Sequence, residues 1–200
     1  MTIEAIAAEK AALRKMMRAR RAALTPETRA AASRVARDRL IAWLAQTKLP
    51  GGAVIAGYWP IRDEFDPRPL LQALAERGYR LALPVSIAQG EPLAFRAWAA
   101  GDTLAPDIMG IEAPLPSAPE TVPSLVLVPM LAFDRARRRL GYGAGFYDRT
   151  LAALRGAGTT VAVGLAFAAQ EVERVPVAKD DAALDAVVTE EGAIAPIQRP

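Results

Sequence analysis

The 200-residue sequence contains no histidine and no cysteine. That excludes Ser-His-Asp and Cys-His catalysis and removes the side chains of the usual zinc sites. Any general acid or base must then be Asp, Glu, Lys or Tyr. A bound metal must be a hard cation on oxygen ligands, and magnesium suits that best. Apolar runs are broken by Gly, Pro or charge well short of ~18 residues, so no transmembrane helix is expected. The N-terminus places Glu4 and Glu9 among its alanines and lacks a signal peptide's apolar core, so a cytoplasmic protein is expected. Without cysteine there is no redox signature to read. Internal repeats and low-complexity segments are absent too.

What is present fits one folded domain. Hydrophobic residues make up 52% of the chain, enough for a sizeable core. The net charge of +3 is unevenly spread. Residues 1–39 hold ten Lys/Arg against four Asp/Glu, a local +6. An anionic partner touching the N-terminal region would explain this, whether nucleotide, nucleic acid or membrane.

Helical periodicity runs from Ile3 to about Ala23, with Ile6, Leu13, Met17 and Leu24 in one stripe. Lys10, Arg14, Arg18 and Arg21 form a second stripe beside it. "LTPE" ends this helix and begins another, with Thr25 as N-cap and Pro26 in the first turn. The second helix reaches about Gln46 and is expected to bury Ala32, Val35, Ala36, Leu40 and Trp43. After Pro50-Gly51-Gly52 the texture changes. Strands are expected at 53–59, 79–85, 92–98, 124–130, 159–167 and 185–190, with a helix at 69–78 and another ending near Arg155. Residues 99–123 read as an irregular excursion. The fold class is therefore α/β: a three-layer sandwich whose parallel or mixed central sheet carries helices on both faces, preceded by an N-terminal helical pair. The domain reading is one unit over 1–200, with helices in 1–48 and an α/β body in 52–195.

One stretch carries chemistry. "RRRLGYGAGFYDR" lies between a buried strand and a helix. Ligands of open α/β sheets bind beyond the carboxyl ends of the strands. Gly141-Tyr142-Gly143-Ala144-Gly145 there can bring backbone N–H groups close to a phosphate, next to a positive helix end. Arg138 or Arg139 can add bidentate charge, and Asp148 can hold a metal bridging phosphates. The spacing is G-x-G-x-G, neither the dinucleotide fingerprint nor the G-x-x-x-x-G-K-[ST] loop. Alone, it fits a tight structural turn as well as a ligand loop.

The longer segment "LVLVPMLAFDRARRRLGYGAGFYDRTL" (Leu125 to Leu151) resembles the signature of the 5-formyltetrahydrofolate cyclo-ligase (methenyltetrahydrofolate synthetase) family, P-x-x-x-F-D-x-x-G-x-R-L-G-x-G-x-G-[FY]-Y-D. "EKAALRKMMRARRAAL", "RDEFDP" and "GLAFAAQEVERVPVAKDDAALDAVVTE" extend the resemblance over nearly the whole chain, in order. Three positions depart from the pattern: Arg137 replaces a usual Gly, Met109 a common aromatic, and Asp180 a frequent Trp or His.

The resemblance implies an ATP- and Mg2+-dependent closure of 5-formyltetrahydrofolate to 5,10-methenyltetrahydrofolate, with release of ADP and phosphate. It assigns Lys10 and Arg14 to phosphate, and Arg138, Arg139, Leu140 and the loop from Gly141 through Ala144, Gly145 and Phe146 to Tyr147 to ATP. It assigns Asp148 and Asp181 to magnesium, and Trp59, Glu64, Gly143, Phe146 and Tyr147 to the folate. Arg139 and Tyr147 are the catalytic candidates. Small molecules are the expected partners, with no nucleic acid, no membrane and a monomeric chain.

Each residue also has a plainer reading. Basic helical stripes are mostly solvated faces, and Arg18, Arg20 and Arg21 are read that way. Glu64, Asp180 and Asp181 can be ordinary loop acids, and Asp148 a first-turn acid favoured by the helix dipole. The competing functions are a phosphate-binding α/β enzyme of the sugar-phosphate isomerase type and a nucleic-acid-binding module using the basic helix.

Overall fold

The structure, a computed structural model, describes residues 2–47, 49, 52–158 and 160–195. Helix α1 (Ile3–Ala22) starts at Thr2, whose hydroxyl accepts from the Ala5 N–H at 3.2 Å. Helix α2 (Pro26–Gln46) starts at Thr25, which accepts from the Thr28 N–H at 3.2 Å, with Pro26 and Glu27 opening the first turn. Strand β1 (Val54–Ala56), helix α3 (Arg68–Ala75) and strand β2 (Arg80–Val85) follow. Then come β3 (Ala94–Ala97), β4 (Leu104–Pro106), β5 (Glu112–Pro114), β6 (Leu125–Pro129), β7 (Ala132–Phe133) and β8 (Arg139–Leu140). Helix α4 (Phe146–Ala157), β9 (Val161–Leu165), a 3-10 turn (Ala168–Gln170), β10 (Ala186–Val188) and β11 (Ala193–Ile194) complete the order.

Seven strands form the central sheet in the order β11-β10-β9-β6-β1-β2-β3. The inner five are parallel, and β3 and β11 pair antiparallel at the two edges, so the sheet is mixed. Alternation along the strands builds two cores. Ile55, Leu81, Leu83, Leu125 and Leu127 point to one face and pack with Ala36, Leu40 and Leu44 of α2 and Leu70, Leu71 and Leu74 of α3. Val54, Ala56, Val126 and Val128 point to the other and pack with Leu151 of α4. The two N-terminal helices do different work. Helix α2 is part of a sandwich layer, whereas α1 lays Met17 against Leu131, Leu140 and Val175.

Several expectations need correction. Val35 is 44% exposed, because the buried row of α2 runs Ala32-Ala36-Leu40-Leu44 and Val35 falls on its flank. The segment 99–123 is not wholly irregular: β4 and β5 pair as an antiparallel ribbon. Strands β7 and β8 form a hairpin, so Arg139 and Leu140 sit in a strand and not in the loop. The strand expected from Thr159 is described only from Val161, and Thr159, Pro50, Gly51 and the expected boundary at Lys48 lie outside the described residues.

Candidate functional site

Strand β1 is followed by β2 on one side and by β6 on the other, so the chain reverses direction across the sheet between β1 and β6. The carboxyl ends of these strands open a crevice at such a point. A cavity of about 400 Å3 lies there. Tyr58, Trp59 and Glu64 line it after β1, Ser86 after β2, Met109 and Ile111 from the ribbon, and residues 139–148 after β6. Lys10 and Arg14 of α1 reach it, and so does Asp181.

The loop 141–145 feeds directly into α4. Gly145 is its N-cap at φ 70°, and no side chain caps the helix. The first N–H groups of α4 therefore face the cavity without a side-chain acceptor, the arrangement that receives anions. Arg14 Nε donates to the Gly141 carbonyl at 2.9 Å, tying α1 to this loop. Lys10 Nζ meets Asp181 Oδ2 at 2.5 Å.

Arg139 is nearly buried, with its side chain 3% exposed. Its guanidinium contacts Asp148 Oδ1 at 2.5 Å and donates to the Ala182 carbonyl. Burial lowers the Arg139 pKa and Asp148 opposes that fall, so the group stays cationic. Arg138 belongs elsewhere: its Nε pairs with the fully buried Asp134 at 2.6 Å, bracing the β7–β8 turn. Arg138 does not line the cavity.

Magnesium can be tested against the donors present. Asp148 Oδ1 also accepts from the Ala182 N–H at 3.0 Å, and Asp181 Oδ2 from the Ala178 N–H at 2.7 Å. Each carboxylate thus has one oxygen fixed. The other oxygen of each takes no hydrogen bond among the described residues. Among those residues no cluster of three or more acids exists that would hold a metal alone. Two carboxylates at one cavity fit magnesium, which takes one or two protein ligands and completes its shell with phosphates and water. Asp180 is exposed and lies outside the cavity lining.

On the other wall, Glu64 is 7% exposed and accepts from the Ile61 N–H at 2.9 Å. Burial raises its pKa, an effect opposed by hydrogen bonding from Tyr142 and Ile61 and by the Arg21 charge. Burial likewise pushes the phenols of Tyr142 and Tyr147 well above the usual range, and the Glu64 charge pushes them the same way. Both remain neutral donors at any physiological pH. Trp59 packs edge-on against Trp98 at 6.2 Å and lies under the Arg68 guanidinium at 5.3 Å. Met109 is 45% exposed at the cavity wall.

Arg21 was read as a solvated residue, and the structure overturns that. It is 3% exposed, chelates Asp63 through Nε and Nη2 at 3.1 Å each, and donates to the Tyr142 hydroxyl at 2.5 Å. Arg20 remains at the surface, bonding the Ala169 and Glu171 carbonyls at 3.3 and 3.4 Å. Asp107 was also missed. Its carboxylate accepts from the N–H groups of Ser86 (2.8 Å), Met109 (2.8 Å) and Ile111 (3.1 Å), pinning the ribbon to the end of β2. The "DIMG" turn was its only sequence signal.

A larger cavity of about 610 Å3 lies near the starts of β1 and β2, between Arg80, Trp98 and Asp102. It gathers neither a glycine loop nor a helix N-terminus, and the chemistry converges on the smaller one.

Comparison with known proteins points to one family. Residues 6–190 match the model of the 5-formyltetrahydrofolate cyclo-ligase family. A 5-formyltetrahydrofolate cyclo-ligase of Mycolicibacterium smegmatis is 36% identical over 159 residues, covering 76% of this chain and 80% of that protein. One from Escherichia coli K12 is 33% identical over 184 residues, covering 87% and 96%. The solved 5,10-methenyltetrahydrofolate synthetase of Aquifex aeolicus superposes with a TM-score of 0.74 at 27% identity, covering 96% of this chain and 94% of that one. That of Mycoplasma pneumoniae, at 23% identity and a TM-score of 0.72, shares the fold over 90% and 98%. Matched by the family model over residues 6–190 and by a relative 33% identical over 184 residues, the chain belongs to the 5-formyltetrahydrofolate cyclo-ligase family.

Proposed function

We propose that this chain uses ATP to cyclise 5-formyltetrahydrofolate to 5,10-methenyltetrahydrofolate, releasing ADP and phosphate. The observation that carries the reading is a convergence on one cavity. One side has a glycine loop, an uncapped helix N-terminus, Lys10 and Arg14, and the other has the buried carboxylate Glu64 beside Trp59. Phosphate chemistry and a hydrogen-bonding heterocycle are both provided for.

The formamide oxygen is a poor leaving group. Transfer of the γ-phosphoryl group to it gives an iminium phosphate and ADP. The N10 amine then attacks the formyl carbon and gives up its proton, the carbon–oxygen bond breaks, and phosphate departs with that oxygen and takes up the proton. Such transfer needs positioning and charge neutralisation more than covalent help, so lacking His and Cys is no handicap. Backbone N–H groups of 141–145 and the first turn of α4 receive the phosphates. Arg139, cationic and held by Asp148, presents charge to the group in transit. Lys10 and Arg14 reach the site from α1 and would meet phosphate charge there. Tyr147 cannot serve as a base, because its phenol stays protonated, but it can donate to the reacting oxygen. Glu64 accepts from the pterin N–H groups, and Trp59 offers an apolar face. Asp148 and Asp181 would hold magnesium, which would supply positive charge to offset the phosphates.

The reading covers one cyclo-ligase domain acting as a monomer on small molecules in the cytoplasm, without nucleic acid or membrane. No helix among the described residues is long and apolar enough to cross a membrane. The test is to mix purified chain, 5-formyltetrahydrofolate and Mg-ATP and follow the methenyl product's absorbance. Product formed only with ATP supports the reading, and its absence with both ligands saturating refutes it.

A further inference from the structure

We propose that Arg21 is a positioning residue for the folate side of the site, holding Glu64 in place through Tyr142 and Asp63. The proposal rests on the function argued above. Arg21 itself does not line the cavity, whereas Tyr142 and Glu64 do. Its guanidinium uses three nitrogens. Nε and Nη2 take the two Asp63 oxygens, and Nη1 takes the Tyr142 hydroxyl. The same guanidinium lies 5.6 Å from the centre of the Tyr142 ring.

Asp63 and Glu64 share one tight turn, in which the Glu64 N–H donates to the Ile61 carbonyl at 3.1 Å and its carboxylate accepts from the Ile61 N–H. Tyr142 comes from the glycine loop on the opposite wall. Arg21 therefore ties α1 to two walls that are distant in sequence. Arg21 donates to the phenol oxygen and so sets the Tyr142 ring at the cavity that Glu64 also lines. Glu64, held by the Ile61 N–H in the turn that Asp63 shares, faces the ligand from there.

Stability alone explains this arrangement poorly. A buried ion pair holds a helix no better than well-packed apolar residues of the same volume. The planar fork is what the geometry uses: one bidentate carboxylate and a third donor at a fixed angle, which a lysine cannot reproduce.

The experiment uses the full chain and the variants Arg21→Met, Arg21→Lys and Tyr142→Phe, with circular dichroism confirming the fold. Calorimetric Kd values are measured separately for 5-formyltetrahydrofolate and for ATP. Arg21→Met and Tyr142→Phe should each weaken folate binding by about tenfold or more, and Arg21→Met, which lies outside the cavity lining, should change ATP binding by less than about twofold. The double variant should be no worse than the poorer single one, since both break one linkage. Arg21→Lys should restore only part of the loss. Unchanged folate binding, equal losses for both ligands in Arg21→Met, or additive losses in the double variant overturn the proposal.

A second arm needs no ligand. The charged groups facing Glu64 are Arg21 and Asp63, with the phenols of Tyr58, Tyr142 and Tyr147 also close. Removing the Arg21 charge, in Arg21→Met, should raise the titration midpoint of the Glu64 carboxyl, followed by carbon-13 NMR in the unliganded chain. An unmoved midpoint overturns the proposal. If the native chain binds no folate, the proposed function fails while this titration still decides the role of Arg21. Should Arg21→Met not fold, Asp63→Asn and Tyr142→Phe carry the folate Kd measurements.

Discussion

The three glycines of the loop are not equivalent, and alanine at each should separate backbone strain from ligand contact. Gly143 has φ +110°, outside even the small left-handed region that L-residues tolerate. A Cβ there would make only ordinary contact with the Arg14 guanidinium, 3.5 Å away, so the cost is conformational and not steric. Holding a non-glycine residue in such a region costs roughly 1–3 kcal/mol. Gly143 is exposed, so the loop can relax to another shape and the fold hardly suffers. The cost then appears when ATP demands the original shape, as a rise of about 5- to 150-fold in the ATP KM. Gly145, at φ +70°, is milder: its Cβ would press on the flexible tip of Arg149 at 2.6 Å, and asparagine should be tolerated there. Gly141 has no positive φ and nothing within 4 Å of its Cβ, so any effect of Gly141→Ala reports contact with the ligand alone. Steady-state kinetics with each substrate varied, beside thermal melts, read all three. A folded Gly143→Ala enzyme with its ATP KM within twofold of native would refute the reasoning.

Arg137 holds φ 62° and a buried Nε without a hydrogen-bond partner among the described residues, so Arg137→Gly should stabilise by about 0.5–1 kcal/mol, raising Tm a few degrees in a melt with kcat unchanged. Glu64 has a raised folded pKa, so its stabilising contribution is complete below the unfolded pKa and is lost as pH rises through the folded one. Glu64→Gln should therefore melt higher than native at neutral pH while its folate KM rises. The native folate KM should also rise as falling pH protonates Glu64. Asp148→Asn should lower kcat and shift the magnesium dependence upward. Asp181→Asn should do so more mildly and Asp180→Asn hardly at all, whereas full turnover in excess EDTA would dismiss the metal.

Much of this was legible because it is local. The caps at Thr25 and Pro26, the two-residue alternation of β1 and β6, and the glycine spacing at 141–145 are each written within a few neighbouring residues. What was not legible depends on partners far along the chain. Arg21 stands seven residues past Arg14, within about 20° of the same helical stripe, yet nothing local says that Asp63 and Tyr142 wait there. The β7–β8 hairpin has two residues per strand, too short for any alternation to show. In the β4–β5 ribbon, prolines and turn residues hid a pairing whose own turn residue, Asp107, anchors it to Ser86 far back in the chain. Asp148 and Asp181 were recognisable as acids, but not their engagement with Arg139 and Lys10.

The central claim is that the formyl oxygen is phosphorylated and leaves as phosphate. It is tested most directly with 5-formyltetrahydrofolate carrying oxygen-18 in the formyl group. The labelled folate is incubated with the chain and Mg-ATP, and the methenyl product and released phosphate are analysed by mass spectrometry. The account predicts one labelled oxygen in phosphate for every methenyl product formed. Methenyl product accompanied by unlabelled phosphate, with the label in water, would contradict it.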